Sequence, residues 1–583
     1  MSQPESSGGR WTGAALISPT MLFLAATVFI PVALLLTASL NGPSGFSYGS
    51  FERLVKVPVY AQVLGHTAYL AAAAASISVL AAFPVAVGIS RASNGWRQLL
   101  WIGVLLPFWT SFLVRTIAWI VVLGRNGLVN GTLQQAGIID QPLELLYTNM
   151  SVVVGLVHVL LPLAILTMVP VIEAMDRRLV PAAWTLGARP GTSFFVIYFP
   201  LCAAGCTAAW LTTFVSALGF FITPALLGSP KQTMVAQIII QQVQEMMDWG
   251  LAAALALVTL LATLVVYWAY DRVVGLSSLA GEGSRAAEGQ SLGAIRKIKT
   301  SVTWTLGRWT DAALRKLPQR DHTEERRVPL GALLILAAMT LPVLLLVPES
   351  FTTSSFIDWP PKGFSTRWYE DLFASPVWAS ALWRSLGVGI GAAVLASAIG
   401  IPAAFAFAHY RIPGRSLLLG AVLAPIILPR IIVALGLFYV LSKLGLVGSS
   451  VALAVGHAAL ALPFVVITVM ATLKSYDRRL DAAASVLGAR TGARLTRVTL
   501  PIIMPGIVSA FIFAFGTSFD DLTLSLFVSG GLFTTLPKQM WDDALLKVSP
   551  SLAAVSVLLF VGVLAVMALS FGARALLTKR RFA

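Results

Sequence analysis

Four charged side chains interrupt long apolar stretches of the sequence and are the residues most able to do chemistry there. Asp520 and Asp521 lie near the outer end of one stretch, and Arg115 and Arg430 lie inside two others. An ionisable group within a membrane is costly unless it faces water or a partner. The paired carboxylates therefore predict a site for a cation. The alternative is that they hold helices together or bond backbone amides.

The two arginines leave the sign of the cargo open. If Arg115 and Arg430 both face a pathway, they repel a polycation and favour a carboxylate or a phosphonate. If they pair with the two aspartates across an interface, they form a neutral lock, and this interpretation is preferred for Arg115 only. Aromatic side chains in membrane helices more often face lipid or core, but some are candidates to line the passage or a gate: Phe108, Trp109, Phe220 and Phe221.

The composition predicts an all-α polytopic membrane protein. The chain has 583 residues, is 57% hydrophobic and has a mean hydropathy of +0.83. Stretches of about 20 apolar residues, which are long enough to cross a bilayer, alternate with short polar loops. Six spans are predicted near 14–38, 66–90, 98–123, 150–172, 194–226 and 250–271, and six more near 328–348, 382–408, 415–440, 449–471, 499–528 and 551–573.

These twelve spans predict two parallel six-helix repeats, because an even number of spans returns the chain to its starting side. The predicted domains are 1–271 and 328–583, joined by a basic linker over 272–327 that carries eleven Lys and Arg residues. The formal charge of +16 is concentrated in loops on one side, which indicates membrane topology and argues against nucleic-acid binding. That side is predicted to be cytoplasmic, and both termini with it.

Metal and disulfide chemistry have little support in the sequence. Cys202 and Cys206 fall within one apolar run, and the five histidines have no metal-ligand spacing. No phosphate-binding Gly-x-x-x-x-Gly-Lys-Ser/Thr motif occurs, and no pairing of a nucleophile with a base is evident. The chain is therefore not expected to be an enzyme or to bind a cofactor of its own.

A polar loop occurs twice. Residues 176–191 recur as residues 477–492, displaced by 301 positions, with eleven of sixteen residues identical. In each copy a short helix is predicted to start near Pro181 or at an Asp481 N-cap, and to end at Gly187 or Gly488. A helix of about two turns is marginal alone in water, so we expect a partner protein to pack on it. The alternative is a loop that packs only on its own bundle.

The linker allows two interpretations. Apolar residues recur at three- and four-residue steps from Ile295 to Trp309, with basic residues among them. This pattern is typical of an amphipathic helix on the inner leaflet, with Trp304 or Trp309 at headgroup level. A solvated, partly ordered connector is equally compatible with the sequence.

Each copy of the repeated loop resembles the EAA loop of binding-protein-dependent ABC importer permeases. The motif is Ala-Ala-x-x-x-Gly at 182–187 and 483–488, followed by an apolar-x-apolar-Pro segment at 197–200 and 498–501. The usual Glu of that family is replaced by Pro181 and Ala482. By this resemblance the ATPase-coupling residues would be Asp176, Arg177, Arg178, Ala182, Ala183, Leu186 and Gly187 in the first copy, and Asp477, Arg478, Arg479, Ala483, Ala484, Leu487 and Gly488 in the second.

Further segments resemble the two permeases of spermidine/putrescine importers. Residues 107–115 and 222–228 look like the first permease, whereas 518–521 and 534–537 look like the second. The resemblance implies a type I importer fold in a bacterial inner membrane, with two copies of an ABC ATPase that use ATP and Mg²⁺ and an external substrate-binding protein. It implies a polyamine-type cargo. An opine, an aminophosphonate or another small anion or zwitterion is the alternative.

A secondary transporter is the rival class, since it also uses two parallel six-helix halves without an ATPase. The duplicated cytoplasmic loop argues against it.

Overall fold

The structure is a computed structural model that describes residues 7–42, 45–274, 293–314, 328–530 and 533–565. Within these residues the chain is helical apart from loops, isolated bridges and one short hairpin, Asn41–Gly42 with Gly45–Phe46. In the described part of the chain, ten helices are long and apolar enough to cross a membrane. They are Thr12–Ala38, Pro58–Arg91, Phe112–Gln135, Asn149–Glu173, Pro190–Leu218, Trp249–Arg272, Leu330–Glu349, Pro376–His409, Ser450–Ser475 and Thr491–Phe519. The all-α membrane fold is therefore confirmed.

A bent pair of helices and one shorter helix complete the predicted order of spans. Arg415–Ile427 and Arg430–Lys443 form a pair that is bent by 94°, and Pro550–Ala565 is a shorter apolar helix where the last span was expected. The rest of that predicted span lies outside the described residues. Shorter helices between the spans are Gly49–Lys56, Val235–Gln244, Arg367–Ala374 and Leu536–Leu546, and Leu128–Gln135 is the last part of the stretch Phe112–Gln135.

The continuous third spans predicted over 98–123 and 415–440 are wrong, because both are broken. In the first half Asn94–Trp109 ends before Phe112–Leu123 begins, and Ser111 Oγ accepts a hydrogen bond from Leu113 N to cap the new start. In the second half Pro429 starts the second arm. A proline forces the preceding residue, here Leu428 at ψ 138°, into an extended conformation.

The fifth spans are broken as well, at equivalent places. Phe199–Leu218 is followed by a short helix, Ile222–Leu227, and Leu500–Phe519 is followed by Thr523–Val528. The spans predicted over 194–226 and 499–528 therefore each contain a turn. These turns bring polar backbone and side-chain groups to the interface between the halves.

Each half is built around three packed helices. They are Pro58–Arg91, Asn149–Glu173 and Phe199–Leu218 in the first half, and Pro376–His409, Ser450–Ser475 and Leu500–Phe519 in the second. Buried alanines such as Ala71, Ala74 and Ala75 let the helix backbones approach closely, as is usual between membrane helices.

The first helix of each half packs on the other half. Thr12–Ala38 lies against Pro376–His409 and Arg430–Lys443, and Leu330–Glu349 lies against the first half's Pro58–Arg91, Asn94–Trp109 and Phe112–Leu123. The approach is close, since a Cβ added to Gly436 would lie 3.1 Å from backbone atoms of Pro31 and Val32. The predicted domain boundaries thus divide the sequence, while the packing interleaves the two halves.

The linker contains a helix, Gly293–Leu314, that docks on the first half. Its Asp311 carboxylate accepts hydrogen bonds from Gly191 N at 2.7 Å, Thr192 N at 3.1 Å and Thr192 Oγ1 at 2.6 Å. Asp311 thereby caps the helix that begins at Pro190, at the end of the first repeated loop. Trp304 and Trp309 remain 50% and 76% exposed. Neither interpretation of the linker included this docking, and the side chains of Ile295 and Ile298 lie outside those described.

The repeat offers a matched test of this docking. A Cβ on Gly191 would lie 2.7 Å from Asp311 Oδ1 and 2.8 Å from Gly307 O, whereas a Cβ on the equivalent Gly492 would meet nothing within 4 Å. We expect Gly191→Ala to displace the linker helix, at about 1–3 kcal/mol of overpacking, and Gly492→Ala to leave it in place. Limited trypsinolysis should then cut the basic linker faster in Gly191→Ala alone. Equal cutting rates in the two variants would contradict the docking.

Candidate functional site

The two repeated loops form short helices with the same design. They span Leu179–Thr185 and Arg479–Val486, so the first begins two residues before Pro181, and Asp481 lies in the first turn of the second. The predicted starts at Pro181 and at an Asp481 N-cap are therefore wrong. The actual starts follow a turn in which Asp176 Oδ1 accepts from Arg178 N and Asp477 Oδ1 accepts from Arg479 N, both at 2.9 Å.

The predicted glycine ends are confirmed, and both have the same geometry. Gly187 and Gly488 have φ of +85° and +82°. Gly187 N donates to Trp184 O and Ala188 N to Ala183 O, while Gly488 N donates to Ser485 O and Ala489 N to Ala484 O. This is the Schellman arrangement, which requires a left-handed residue after the last helical turn. Glycine adopts that conformation without steric strain.

Both helices present an apolar tip to solvent. Leu186 is 88% exposed and Leu487 is 87% exposed, while Leu179 and Leu480 are about half as exposed. Ala182 and Ala483 are exposed as well, and Ala183 is buried against its own half. The basic residues Arg178, Arg478 and Arg479 are also exposed, at the starts of the two helices. An exposed leucine next to small residues and a charged rim is a typical composition for a protein contact.

The loops are attached to the body of the protein by different contacts. Arg177 Nη2 donates to Ser90 O at 2.7 Å, which ties the first loop to the end of Pro58–Arg91. In the second loop the Asp481 carboxylate accepts from Tyr476 Oη at 2.9 Å and Thr499 Oγ1 at 3.0 Å. Burial raises the pKa of the Tyr476 phenol, so its hydroxyl stays protonated and remains a donor. The first loop has Val180 where the second has Asp481.

The helix breaks define equivalent positions within the membrane part. Phe112 and Arg430 are each the first residue of the second arm of a broken third span. Gly219 and Asp520 each follow the last residue of a fifth helix, so the next residues, Phe220 and Asp521, are also equivalent. Phe112 and Phe220 of the first half therefore occupy the places that Arg430 and Asp521 occupy in the second half, although their chemistry differs.

In the first half this place holds an aromatic pair. The rings of Phe112 and Phe220 lie edge to face with their centroids 5.5 Å apart. Phe221 is buried and packs on Trp541 of the second half with centroids 5.3 Å apart.

In the second half the equivalent pair is ionic. Arg430 Nη1 lies 3.8 Å from Asp521 Oδ2. Asp521 is held by other contacts too, since its Oδ1 accepts from Leu524 N at 2.7 Å and lies 3.5 Å from His457 Nε2. His457 Nδ1 in turn lies 2.7 Å from Ser518 Oγ. A buried carboxylate needs such partners, because a lone charge in this environment would be very costly.

The other two charged candidates face each other across the halves. Asp520 of the second half lies beside Ser111 and Arg115 of the first. Arg115 is 1% exposed, donates from Nη1 to Val159 O at 2.9 Å, and has its guanidinium carbon 4.9 Å from the centre of the Phe112 ring. Arg430 pairs within its own half, whereas Arg115 faces an aspartate of the opposite half. Whether any of these residues touches cargo stays a prediction.

Trp109 of the first half packs against the fifth helix of the second half, Leu500–Phe519. Its ring lies 5.0 Å from that of Phe513, and a Cβ added to Gly516 would come within 2.3 Å of Trp109 Cζ3. In the same way, Gly219 of the first half lies against Pro429 of the second half. A Cβ added to Gly219 would lie 3.1 Å from Pro429 Cβ. Gly516 in one fifth helix and Gly219 directly after the other thus admit bulky groups from the broken third spans of the opposite half.

Sequence reasoning missed two residues of this cluster. His457 carries no metal-ligand spacing and was set aside with the other histidines, yet it contacts Asp521 from 64 residues away. Phe112 was not singled out, although it lies between Arg115 and Arg430. Phe112 lies one helical turn before Arg115, but no local period relates Phe112 to Arg430 or His457 to Asp521. Among the residues that the structure describes, no group of three His, Cys, Asp or Glu side chains could hold a metal ion.

Comparison with known proteins accounts for the repetition. The sequence profile of the family described as "Binding-protein-dependent transport system inner membrane component" matches the chain twice, at residues 77–275 and 396–581. The two matches each include one repeated loop, and together they cover more than half of the chain.

Individual relatives are single permeases of about half this length. The chain is 33% identical over 256 residues to the spermidine/putrescine transport system permease protein PotB of Haemophilus influenzae, covering 42% of this chain and 90% of the relative. It is 32% identical over 228 residues to the corresponding permease protein PotC of Escherichia coli K12, covering 39% of this chain and 86% of the relative.

Among solved structures, a bacterial alginate ABC transporter in complex with an alginate-bound periplasmic protein aligns with 45% of this chain and 95% of its own, at 17% identity and a TM-score of 0.40. The two family matches and the interleaved helical halves lead to one conclusion. The chain belongs to the inner membrane components of binding-protein-dependent transport systems, as a fused permease that carries both halves.

Proposed function

We propose that the chain forms the translocation pathway of an ATP-driven importer for a polyamine-type organic cation. Two copies of an ABC ATPase dock on the cytoplasmic side and use ATP and Mg²⁺, and a substrate-binding protein delivers cargo from the periplasm. Both chain termini are cytoplasmic. The observation that carries the ATPase assignment is the pair of helices Leu179–Thr185 and Arg479–Val486, which share one terminal geometry and one exposed leucine tip.

A polyamine-type cargo is supported by two observations. The relatives PotB and PotC are spermidine/putrescine permeases. Asp521 and Asp520 lie with aromatic residues at the interface between the halves, and a carboxylate beside an aromatic face suits an organic ammonium group.

One observation favours a second candidate cargo. Arg430 is 40% exposed, while the side chain of its partner Asp521 is 1% exposed. The more accessible charge at this site is therefore positive, which suits an opine, an aminophosphonate or another small anion or zwitterion. The machinery is the same for either cargo.

The energy source is tested in proteoliposomes that contain the chain, its ATPase and its binding protein. We expect labelled spermidine to accumulate when ATP is enclosed with the ATPase and not when only a proton or sodium gradient is imposed. Uptake on a gradient alone, without ATPase subunits, would identify a secondary transporter and overturn the proposal.

The docking role is tested at the loop glycines. Valine at a positive φ costs roughly 1–2 kcal/mol, so Gly187→Val and Gly488→Val should distort the helix ends and release the ATPase on copurification. Gly445→Val is the matched control, because Gly445 has a φ of +67° and ends Arg430–Lys443 with the same pair of hydrogen bonds. Retention of the ATPase by both loop variants, or its loss from the control as well, would contradict the assignment.

The cargo site is tested with Asp521→Asn. The amide oxygen of asparagine can still accept from Leu524 N, so the local fold should persist while the charge is lost. We expect spermidine uptake to fall at least tenfold while the ATPase stays bound. Asp542→Asn is the control, since Asp542 pairs with Lys538 in a short helix between spans. Undiminished spermidine uptake by Asp521→Asn would return Asp521 to a structural role.

A further inference from the structure

The equivalent positions of the two halves meet at one side chain, Arg430. Its Nη1 lies 3.8 Å from Asp521 Oδ2 in its own half, and its guanidinium carbon lies 5.9 Å from the centre of the Phe112 ring in the other half. A carboxylate on one side and an aromatic face on the other form a slot for a cation. Arg430 occupies that slot in this structure.

The two sides of the slot are fixed. Asp521 is buried and is held by Leu524 N and His457. Phe112 is packed edge to face on Phe220, and the buried Arg115 lies over its ring. Arg115 is itself buried and donates a hydrogen bond to Val159 O, which holds it in place.

Arg430 is the loosely held member. Its distance of 3.8 Å to Asp521 exceeds that of a hydrogen bond, and Asp521 Oδ2 is buried with no hydrogen-bond partner. Its side chain is 40% exposed, in contrast to Arg115. It also projects from the first residue of a helix arm, next to a break in the span. The guanidinium can therefore move out without disturbing the groups around it.

We propose that Arg430 is a gate cation, whose guanidinium fills the slot between Asp521 and Phe112 until an ammonium group of the cargo displaces it. The proposal rests on the cationic cargo of the proposed function. The exchange keeps one positive charge beside Asp521 at every stage, so the buried carboxylate is never left unpaired. The same site between Asp521 and Phe112 then serves two purposes. Arg430 closes the empty pathway by occupying it, and the cargo is recognised by competing with Arg430 for it.

The test uses the complete chain with its ATPase in proteoliposomes, without the binding protein. In Arg430→Gln the slot is vacant, so we expect receptor-independent spermidine entry to rise about tenfold over the wild type. Arg430→Lys restores a cation and should return entry to the wild-type level. Arg272→Gln is the matched control and should also resemble the wild type, because Arg272 lies 5.2 Å above the Trp268 ring without a carboxylate partner in that contact.

A second readout does not depend on the cargo. With the slot vacant, the ATPase rate without binding protein should rise in Arg430→Gln, and millimolar guanidinium chloride should lower it again while the same concentration of sodium chloride does not. If the wild type does not transport spermidine even with its binding protein, the polyamine cargo is refuted, while the gate is judged by the ATPase readout. The gate is refuted if Arg430→Gln, shown to be folded by its melting temperature, keeps the wild-type ATPase rate, or if Arg430→Lys is as leaky as Arg430→Gln.

Discussion

The breaks in the membrane helices are the constraint on which the arrangement at the interface between the halves depends. A helix that stops within a bilayer exposes backbone groups that lipid cannot satisfy, so the break must be buried in protein or line an aqueous space. The third and fifth spans of both halves stop in this way, and their broken ends meet between the halves. Asp521 satisfies one of these backbone groups, because its carboxylate accepts a hydrogen bond from the amide of Leu524 at the start of the next short helix.

The same constraint explains why one fold supports unequal chemistry in its two halves. A break can be closed by apolar packing, as Phe112 and Phe220 do, or by a charge that caps backbone and is then neutralised, as Asp521 and Arg430 do. In the second half the break therefore carries a carboxylate and a cation, whereas the equivalent break in the first half carries only aromatic rings. The two halves therefore share one backbone geometry at the breaks. They differ in polarity because the side chains at two equivalent positions are aromatic in the first half and charged in the second. In the proposed importer an organic cation would have one wall for its charge and another for its methylene groups.

The sequence predicted the elements whose signals are local. Apolar stretches located most spans, and the duplicated loop predicted both short helices and their glycine ends, because a left-handed residue after the last turn is a local requirement. The breaks were missed, since the two polar residues Thr110-Ser111 and the single Pro429 each lie within a run that is strongly apolar on average. Pro429 was the available signal. The contact of His457 with Asp521 depends on packing between distant segments. So does the packing of each half's first helix on the other half. No periodicity in the sequence indicates such contacts.

Fusion of the two halves makes their two repeated loops mechanically different. The helix that follows the first loop begins at Pro190 and is capped by Asp311, so any movement of that loop must either carry the linker helix along or break three hydrogen bonds to one carboxylate. The helix that follows the second loop begins at Thr491, and Gly492 there is exposed with open space around it. In the proposed importer two identical ATPases would then act on a braced loop and a free one. The linker that joins the halves would therefore also make one of the two docking sites stiffer, because an anionic cap stabilises a helix N-terminus most when it is buried, as Asp311 is.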